Sequence, residues 1–320
     1  MMDQLQLRSE YTRLLQATEL TETFEIIEIY KNYLFDIFRQ LKRTKDDTIA
    51  IADAKMIPQM MFTKLLHLEQ VCHGITYQTR DRSVNLNPII DPTVVGTLTR
   101  AIFESVSVFN LIYISPKGSD EQSMLYYLWV ISGLKYRQRF VDYLTSEEVK
   151  EKSRKEKIEI DRFINMIETN PLYLSCSEKG RQQIQYAIRK KKFAFYFENG
   201  EPLPLDGFQD MVLRAGFRKK IMGEMYTYFS LSAHPSNVAV FQFAQMFDKS
   251  APEFDRTTVF DMKNVFLLLS AFIADLGELF PETKNTYNNL PILDQCIINH
   301  FNIFARDETY SINNCLHQLG

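Results

Sequence analysis

Apolar residues recur at helical spacing along most of the chain. Over 22–43, Phe24, Ile27, Leu34 and Phe38, with Tyr30 or Lys31 between them, share one helix face, and Thr21 stands where a cap belongs. Lys42, Arg43 and Lys45 follow at the C-terminal end, where positive charge suits the helix dipole. An amphipathic helix over 2–17 precedes this one, and a third stretch over 47–72 is kinked or divided by Pro58. Residues 74–88, with Arg80, Asp81 and Arg82, are polar and read as a loop. Asp91-Pro92 joins a capping side chain to a proline at the first helical position, so a helix starts there and runs to Ile114.

Ser119 or Asp120 opens the next helix, through Trp129 to Tyr143. Ser146 with Glu147 and Glu148 opens another, highly charged through Lys157 and amphipathic towards Ile167; its Lys/Glu-rich turn reads as a solvated arm. Asn170-Pro171 breaks the pattern before a basic helix over 180–192. The run from Phe193 is either a helix end or a short strand with an Asn199-Gly200 turn. A short helix over 207–215 leads into Gly216–Ser236, a helix that Pro235 stops just beyond His234. Apolar helices over 257–279 and 290–304 complete the chain. The pattern predicts an all-α protein, a multi-helix bundle of roughly ten helices, with a small irregular or hairpin element near 193–205. The simplest organisation is a single helical domain over 1–320 with a charged helical elaboration at 146–207.

Composition narrows the classes. Hydrophobic residues at 45% and charged residues at 24% fit a globular chain rather than a disordered one. Gly and Pro, 11 each, are too few for a turn-rich all-β protein. A net charge of -3 argues against a general nucleic-acid binder and leaves room for local patches. Cys72, Cys176, Cys296 and Cys315 form no C-x-x-C pair, which disfavours zinc fingers and disulfide scaffolds and points to a reducing cytoplasm. The opening Met-Met-Asp-Gln-Leu-Gln lacks a basic head and apolar core, so no signal peptide is expected. The apolar window Val265–Phe280 is interrupted by Asp275 and Glu278 and is too short for a bilayer, so no membrane partner is expected.

Two apolar helices carry ionisable side chains where core residues belong. In the first, Arg100 and Glu104 are one turn apart and share a narrow polar stripe with Thr97 and Ser107. They are either an internal ion pair that fixes helix register, or a base or ligand (Glu104) held by Arg100 in a dry pocket. In the second, Tyr226, Ser230 and His234 are spaced by four and line one face. No Gly-x-Ser-x-Gly elbow accompanies Ser230, so it is not read as an activated nucleophile. His67, Glu69 and His73 do not all share a face, and there is no His-Glu-x-x-His, so no metal or other cofactor is assigned.

Arg189, Lys190, Lys191 and Lys192 precede Phe193, Phe195, Tyr196 and Phe197, mixing cations with aromatics as some nucleic-acid surfaces do. Arg218, Lys219 and Lys220 extend the basic region: 180–220 carries nine Lys and Arg against four acids, and 251–320 the reverse. The bland reading is a solvated face, or a contact between the two poles within one chain or across a dimer.

Leu98-x-Arg100-x-x-x-Glu104 and Tyr226-x-x-x-Ser230-x-x-x-His234 resemble the paired motifs of a bacterial family of helical proteins, over residues 60–250. That resemblance implies an all-helical fold with those five residues facing one another, and brings no activity. There is a looser similarity to the HEPN superfamily, helical bundles that include RNA-cleaving toxins and antiphage effectors. Their signature is an Arg four to six residues before a His on one helix. No Arg stands at that distance before His234, and Arg218 and Lys220 are too far upstream. The similarity implies that Arg100, from another helix, would hold the scissile phosphate while His234 acts as acid or base.

Two functions are expected. In one, Arg100, Glu104, Tyr226, Ser230 and His234 form a pocket that binds or cleaves a phosphate-containing substrate, RNA first, in a bacterial toxin or antiphage setting. In the other, the chain is a non-enzymatic scaffold or oligomerisation module with a homo-oligomeric or protein partner, and the five residues form a structural hydrogen-bond network.

Overall fold

The computed structural model describes residues 3–45, 48–143, 146–243 and 253–319. Residues 2 and 47, the expected starts of the first and third helices, lie outside the described residues. In chain order the helices are α1 (Gln4–Leu15), α2 (Leu20–Leu41), α3 (Ile49–Ala54), α4 (Met56–Cys72), α5 (Pro92–Phe109), α6 (Ser119–Arg137), α7 (Glu147–Glu168) and α8 (Pro171–Ser175). They continue as α9 (Glu178–Lys190), α10 (Phe208–Arg214), α11 (Lys219–Met222), α12 (Met225–Ala233), α13 (Asn237–Gln242), α14 (Glu253–Leu279), α15 (Thr283–Asn288) and α16 (Ile292–Ala305). Two antiparallel hairpins interrupt them, β1 (Ile75–Gln78) with β2 (Asn85–Ile89), and β3 (Phe195–Glu198) with β4 (Glu201–Pro204). The protein is all-α, with these hairpins as its only sheet among the described residues.

The chain divides into two compact units, residues 1–110 with 212–320, and residues 111–211. In the first, α5 packs against α4, α12 and α14, and α2 against α4, α14 and α15. Its centre is built by Val95, Ile102, Phe103, Val106 and Phe109 of α5 with Val265, Phe266, Leu269, Phe272 and Leu276 of α14, all fully buried. Pro92–Ile114 is long and apolar enough by length and composition to cross a membrane, yet most of that stretch is buried against its own neighbours. Asp91 caps α5 through the N–H groups of Thr93 and Val94, with Pro92 in the first turn. The helix continues as a π-helical turn over Asn110–Ile114.

In the second unit, α6 meets α7, α8 and α9 over a core that includes Leu125, Leu128, Ile131, Phe163 and Ile188. The charged helix α7 becomes amphipathic towards its C-terminal end, where Ile160, Phe163 and Ile167 are buried. Asn199 and Gly200, at φ 50° and 79°, make the tight turn that joins β3 to β4 and put Phe195 and Phe197 on the buried face.

Three local expectations are corrected. The break in 47–72 falls at Lys55, while Pro58 sits in the first turn of α4, where its missing N–H costs little. The loop read over 74–88 holds β1 and β2; every residue of β1 is exposed, so no buried alternation marks it in the sequence. The helix read over Gly216–Ser236 is two helices, α11 and α12, parted at Gly223 and Glu224. Glycine weakens a helix interior by about 1 kcal/mol, which favours a break there.

Candidate functional site

The site is built where α5 and α12 run antiparallel. Gly96 permits the close approach: a Cβ at that position would lie 2.7 Å from both Cβ and Oγ of Ser232. One turn further along α5, Arg100 meets Tyr226. The guanidinium Nη2 donates to the Tyr226 hydroxyl at 2.8 Å, and Nε donates to Glu104 Oε1 at 2.9 Å. The Tyr226 hydroxyl in turn donates to the same Glu104 oxygen at 3.0 Å, closing a triangle. Phe103 floors it, its ring centroid 5.5 Å from that of Tyr226, and Arg100 Cζ lies 4.9 Å from the Tyr226 ring centroid.

Sequence spacing supplied the pair on α5, and the fold adds its third member from α12. Arg100 and Glu104 keep 23% and 32% of their side-chain exposure, so the network sits at the rim of the seam rather than in the dry interior. Burial disfavours the charged form of Arg100, but the hydrogen bonds and charges of Tyr226 and Glu104 outweigh it and raise its pKa. Burial also raises the pKa of Tyr226, helped by the Glu104 charge and opposed by Arg100. Tyr226 therefore serves as a neutral hydrogen-bond donor, not as a phenolate.

Ser230 and His234 do not join the triangle. The Ser230 hydroxyl turns back to donate to the Tyr226 carbonyl at 2.7 Å. His234 is exposed and caps the end of α12 in extended backbone, φ -123° and ψ 149°. Pro235 sets that conformation, because the residue before a proline is pushed out of the helical region. Eight residues of helix, about 12 Å of rise, separate Tyr226 from this cap. His234 instead lines a groove of about 300 Å³ with Thr93, Ser232 and Val240. Of the stripe on α5, Thr97 and Ser107 bond to carbonyls of their own helix.

The seven basic residues fall in both units. Arg189 and Lys190 end α9 on its exposed side; Lys191 follows in the left-handed conformation, its carbonyl accepting from Ser132 and its amine 5.1 Å from the Tyr136 ring centroid. Lys192 is exposed. Arg218, before α11, ties its backbone N–H to the Ala305 carbonyl at 2.9 Å and its Nε to the Arg306 carbonyl. Lys219 and Lys220 are exposed in α11. In the acidic pole, Asp275 and Arg306 are buried against each other, and Asp261 is buried as well.

Among the described residues no three His, Cys, Asp or Glu side chains are placed to share a metal ion. Glu69 accepts both oxygens' hydrogen bonds from Lys31, at 2.9 and 2.8 Å, and His73 stacks on Phe24 with centroids 4.0 Å apart.

A second polar group on α12 is not apparent from spacing. Tyr228 reaches Asp261 of α14, which is 2% exposed, and its hydrogen bond leaves Asp261 Oδ1 buried without a partner. Burial pushes the Asp261 carboxyl up to about 7, against the opposing Tyr228 bond. Beside it is a cavity of about 30 Å³ bordered by Ser232 and Thr257, room for a single water. The sequence signal is a carboxylate between Phe260 and Met262 in an apolar run.

Comparison of the chain with protein-family models, with curated proteins and with solved structures finds no match.

Proposed function

We propose that the α5–α12 seam recognises a phosphate-bearing ligand, single-stranded RNA being the leading class, with Arg100 as the anion-binding group. One observation carries this reading. Glu104 and Tyr226 fix the guanidinium through Nε and Nη2, while Nη1 has no hydrogen-bond partner among the described residues and the side chain stays part exposed. A planar fork held in this way gives up little further conformational freedom when it binds a phosphate. Glu104 and Tyr226 are positioning residues in this scheme. His234 is too far along the seam to share one phosphate with Arg100, but an extended strand has phosphates for both. The proposal is recognition; cleavage of the kind the HEPN similarity implies would have to bring Arg100 and His234 to the same phosphate.

The scaffold reading has its own observation: the three side chains satisfy one another, next to the close Gly96–Ser232 approach. The two are separated by fluorescence anisotropy with a labelled single-stranded RNA, read against thermal unfolding of the same variants. Recognition predicts salt-sensitive binding by the folded parent chain that Arg100→Lys weakens at temperatures where the variant is still fully folded. RNA that fails to bind the folded parent chain leaves the scaffold.

A further inference from the structure

The second unit has a cleft of about 620 Å³ between α7 and the end of α6 with the 3-10 turn Gln138–Tyr143 that follows it. That volume lies in the range of small-molecule sites. Its α7 wall has two halves. Lys150, Arg154 and Lys157 follow one another at helical spacing, a line of positive charge about 10 Å long. Ile160 and the half-buried Ile164 continue the same wall beyond the cations, and Val141 lines the cleft from the other side. Lys135 adds a fourth cation, and Asp161 is the one acid among the lining residues.

These cations are available to a ligand. Lys157 has no ion-pair partner among the described residues. Lys150 and Arg154 pair only with Glu147 and Glu151, which are more than half exposed, and such surface pairs contribute little and exchange readily. Lys135 donates to the Ile188 carbonyl at 3.1 Å. Burial lowers its pKa, against the pull of Asp161 and with a smaller push from Lys191. Gln138 and Ser153 exchange hydrogen bonds across the cleft, the Gln138 amide donating to the Ser153 carbonyl at 3.1 Å and the Ser153 hydroxyl to Gln138 Oε1 at 3.2 Å. The walls are thus held apart at a fixed spacing.

We propose that this cleft binds a nucleotide: a polyphosphate laid along Lys150, Arg154 and Lys157, with its ring system against the apolar end at Ile160 and Ile164. A single carboxylate would use one of these cations and none of the apolar half; a ligand with several phosphates and a flat apolar body uses both. The site lies wholly within residues 111–211 and is independent of the Arg100 network.

Calorimetric titration of the full chain with ATP, inorganic triphosphate and adenosine at low salt tests it. The expected result is one ATP per chain, bound roughly tenfold or more weakly when Lys150→Glu and Lys157→Glu are combined. Arg100→Ala should leave that binding unchanged. Triphosphate binding without adenosine binding supports the cationic half as the anchor, and ATP binding alone supports joint use of both halves. Absence of ATP binding, adenosine binding as tightly as ATP, or an affinity unmoved by the charge reversals overturns the proposal. So does a single-stranded RNA that binds through these lysines when ATP does not. Loss of binding in Arg100→Ala with none in the reversals assigns the ligand to the α5–α12 seam and overturns this inference alone. Circular dichroism confirms folding, and Lys150→Gln with Lys157→Gln gives the same comparison if the reversals unfold.

Discussion

Arg306 grips Asp275 with two parallel hydrogen bonds, Nη1 to Oδ1 at 2.6 Å and Nη2 to Oδ2 at 2.9 Å, with the two side chains 0% and 3% exposed. Asn110 Nδ2 donates to Oδ2 as well, at 2.8 Å, and the rings of Phe217 and Tyr310 lie about the guanidinium. The pair joins α14 to the end of α16 inside the first unit. Asp275→Asn leaves the buried guanidinium without its counter-charge and should cost about 3–5 kcal/mol. Replacing both, as Asp275→Leu with Arg306→Met, should cost less than the single change. Urea unfolding of the three variants measures the difference; a single variant as stable as the parent would refute the buried-pair account.

Gly96→Ala gains helix propensity but places a methyl group 2.7 Å from Ser232. The overlap should win, with a net loss of about 1–3 kcal/mol, because backbones rather than flexible side-chain ends must separate. Ser232→Gly should restore much of that loss in the double variant. A cycle of thermal melts reports the coupling, and additive effects would show that the two positions do not touch.

Tyr226→Phe removes one donated and one accepted hydrogen bond at a part-exposed site while leaving the Arg100–Glu104 pair on α5 intact. A loss of about 1 kcal/mol is expected, measured by chemical denaturation. Because the fork then has one fixing partner instead of two, RNA affinity should fall with it.

Asp261 makes stability depend on pH in a direction opposite to that of a salt-bridged carboxylate. Its folded pKa is raised from 3.8 to about 7, so the fold holds the proton where the unfolded chain releases it. The contribution is fully favourable below pH 3.8 and is lost as pH rises through 7. Asp294, raised by burial to about 6, adds a slope of the same sign. Asp261→Asn should flatten the fall between pH 4 and 7 by up to a few kcal/mol and be the more stable protein at pH 8. Unfolding free energies of parent and variant across that range test it, and parallel curves would rule it out.

Some starts and stops were legible because they are local chemistry, although α2 begins at Leu20 after Glu19 rather than at a Thr21 cap. Asp91-Pro92 opens α5 and Asn199-Gly200 turns β3 into β4 through backbone preferences of the residues themselves. The stop at His234 came one residue early for the same reason, since Pro235 restricts the residue before it. The exposed hairpin of β1 and β2 was not legible, because a strand with no buried face carries no alternation.

The i,i+4 spacing of Arg100 and Glu104 was enough to foresee their pairing, which one helix makes by itself. The same rule placed Tyr226, Ser230 and His234 on one face, but not against a neighbour. Tyr226 turns to α5 while Tyr228, two residues on, turns to α14, and His234 leaves the helix altogether. Nor does spacing join Asp275 to Arg306, 31 residues apart. Periodicity records which face of a helix is apolar, a property of each segment. Which faces meet depends on how the helices pack, and on where a residue such as Gly96 lets two backbones close. The sequence thus determined the helical class, the cap of α5 and the ion pair within it, and offered the β3–β4 turn as one of two alternatives. Only the tertiary structure decided that Tyr226 completes it, that Asp261 is buried with one oxygen unsatisfied, and that the charged face of α7 borders a cleft.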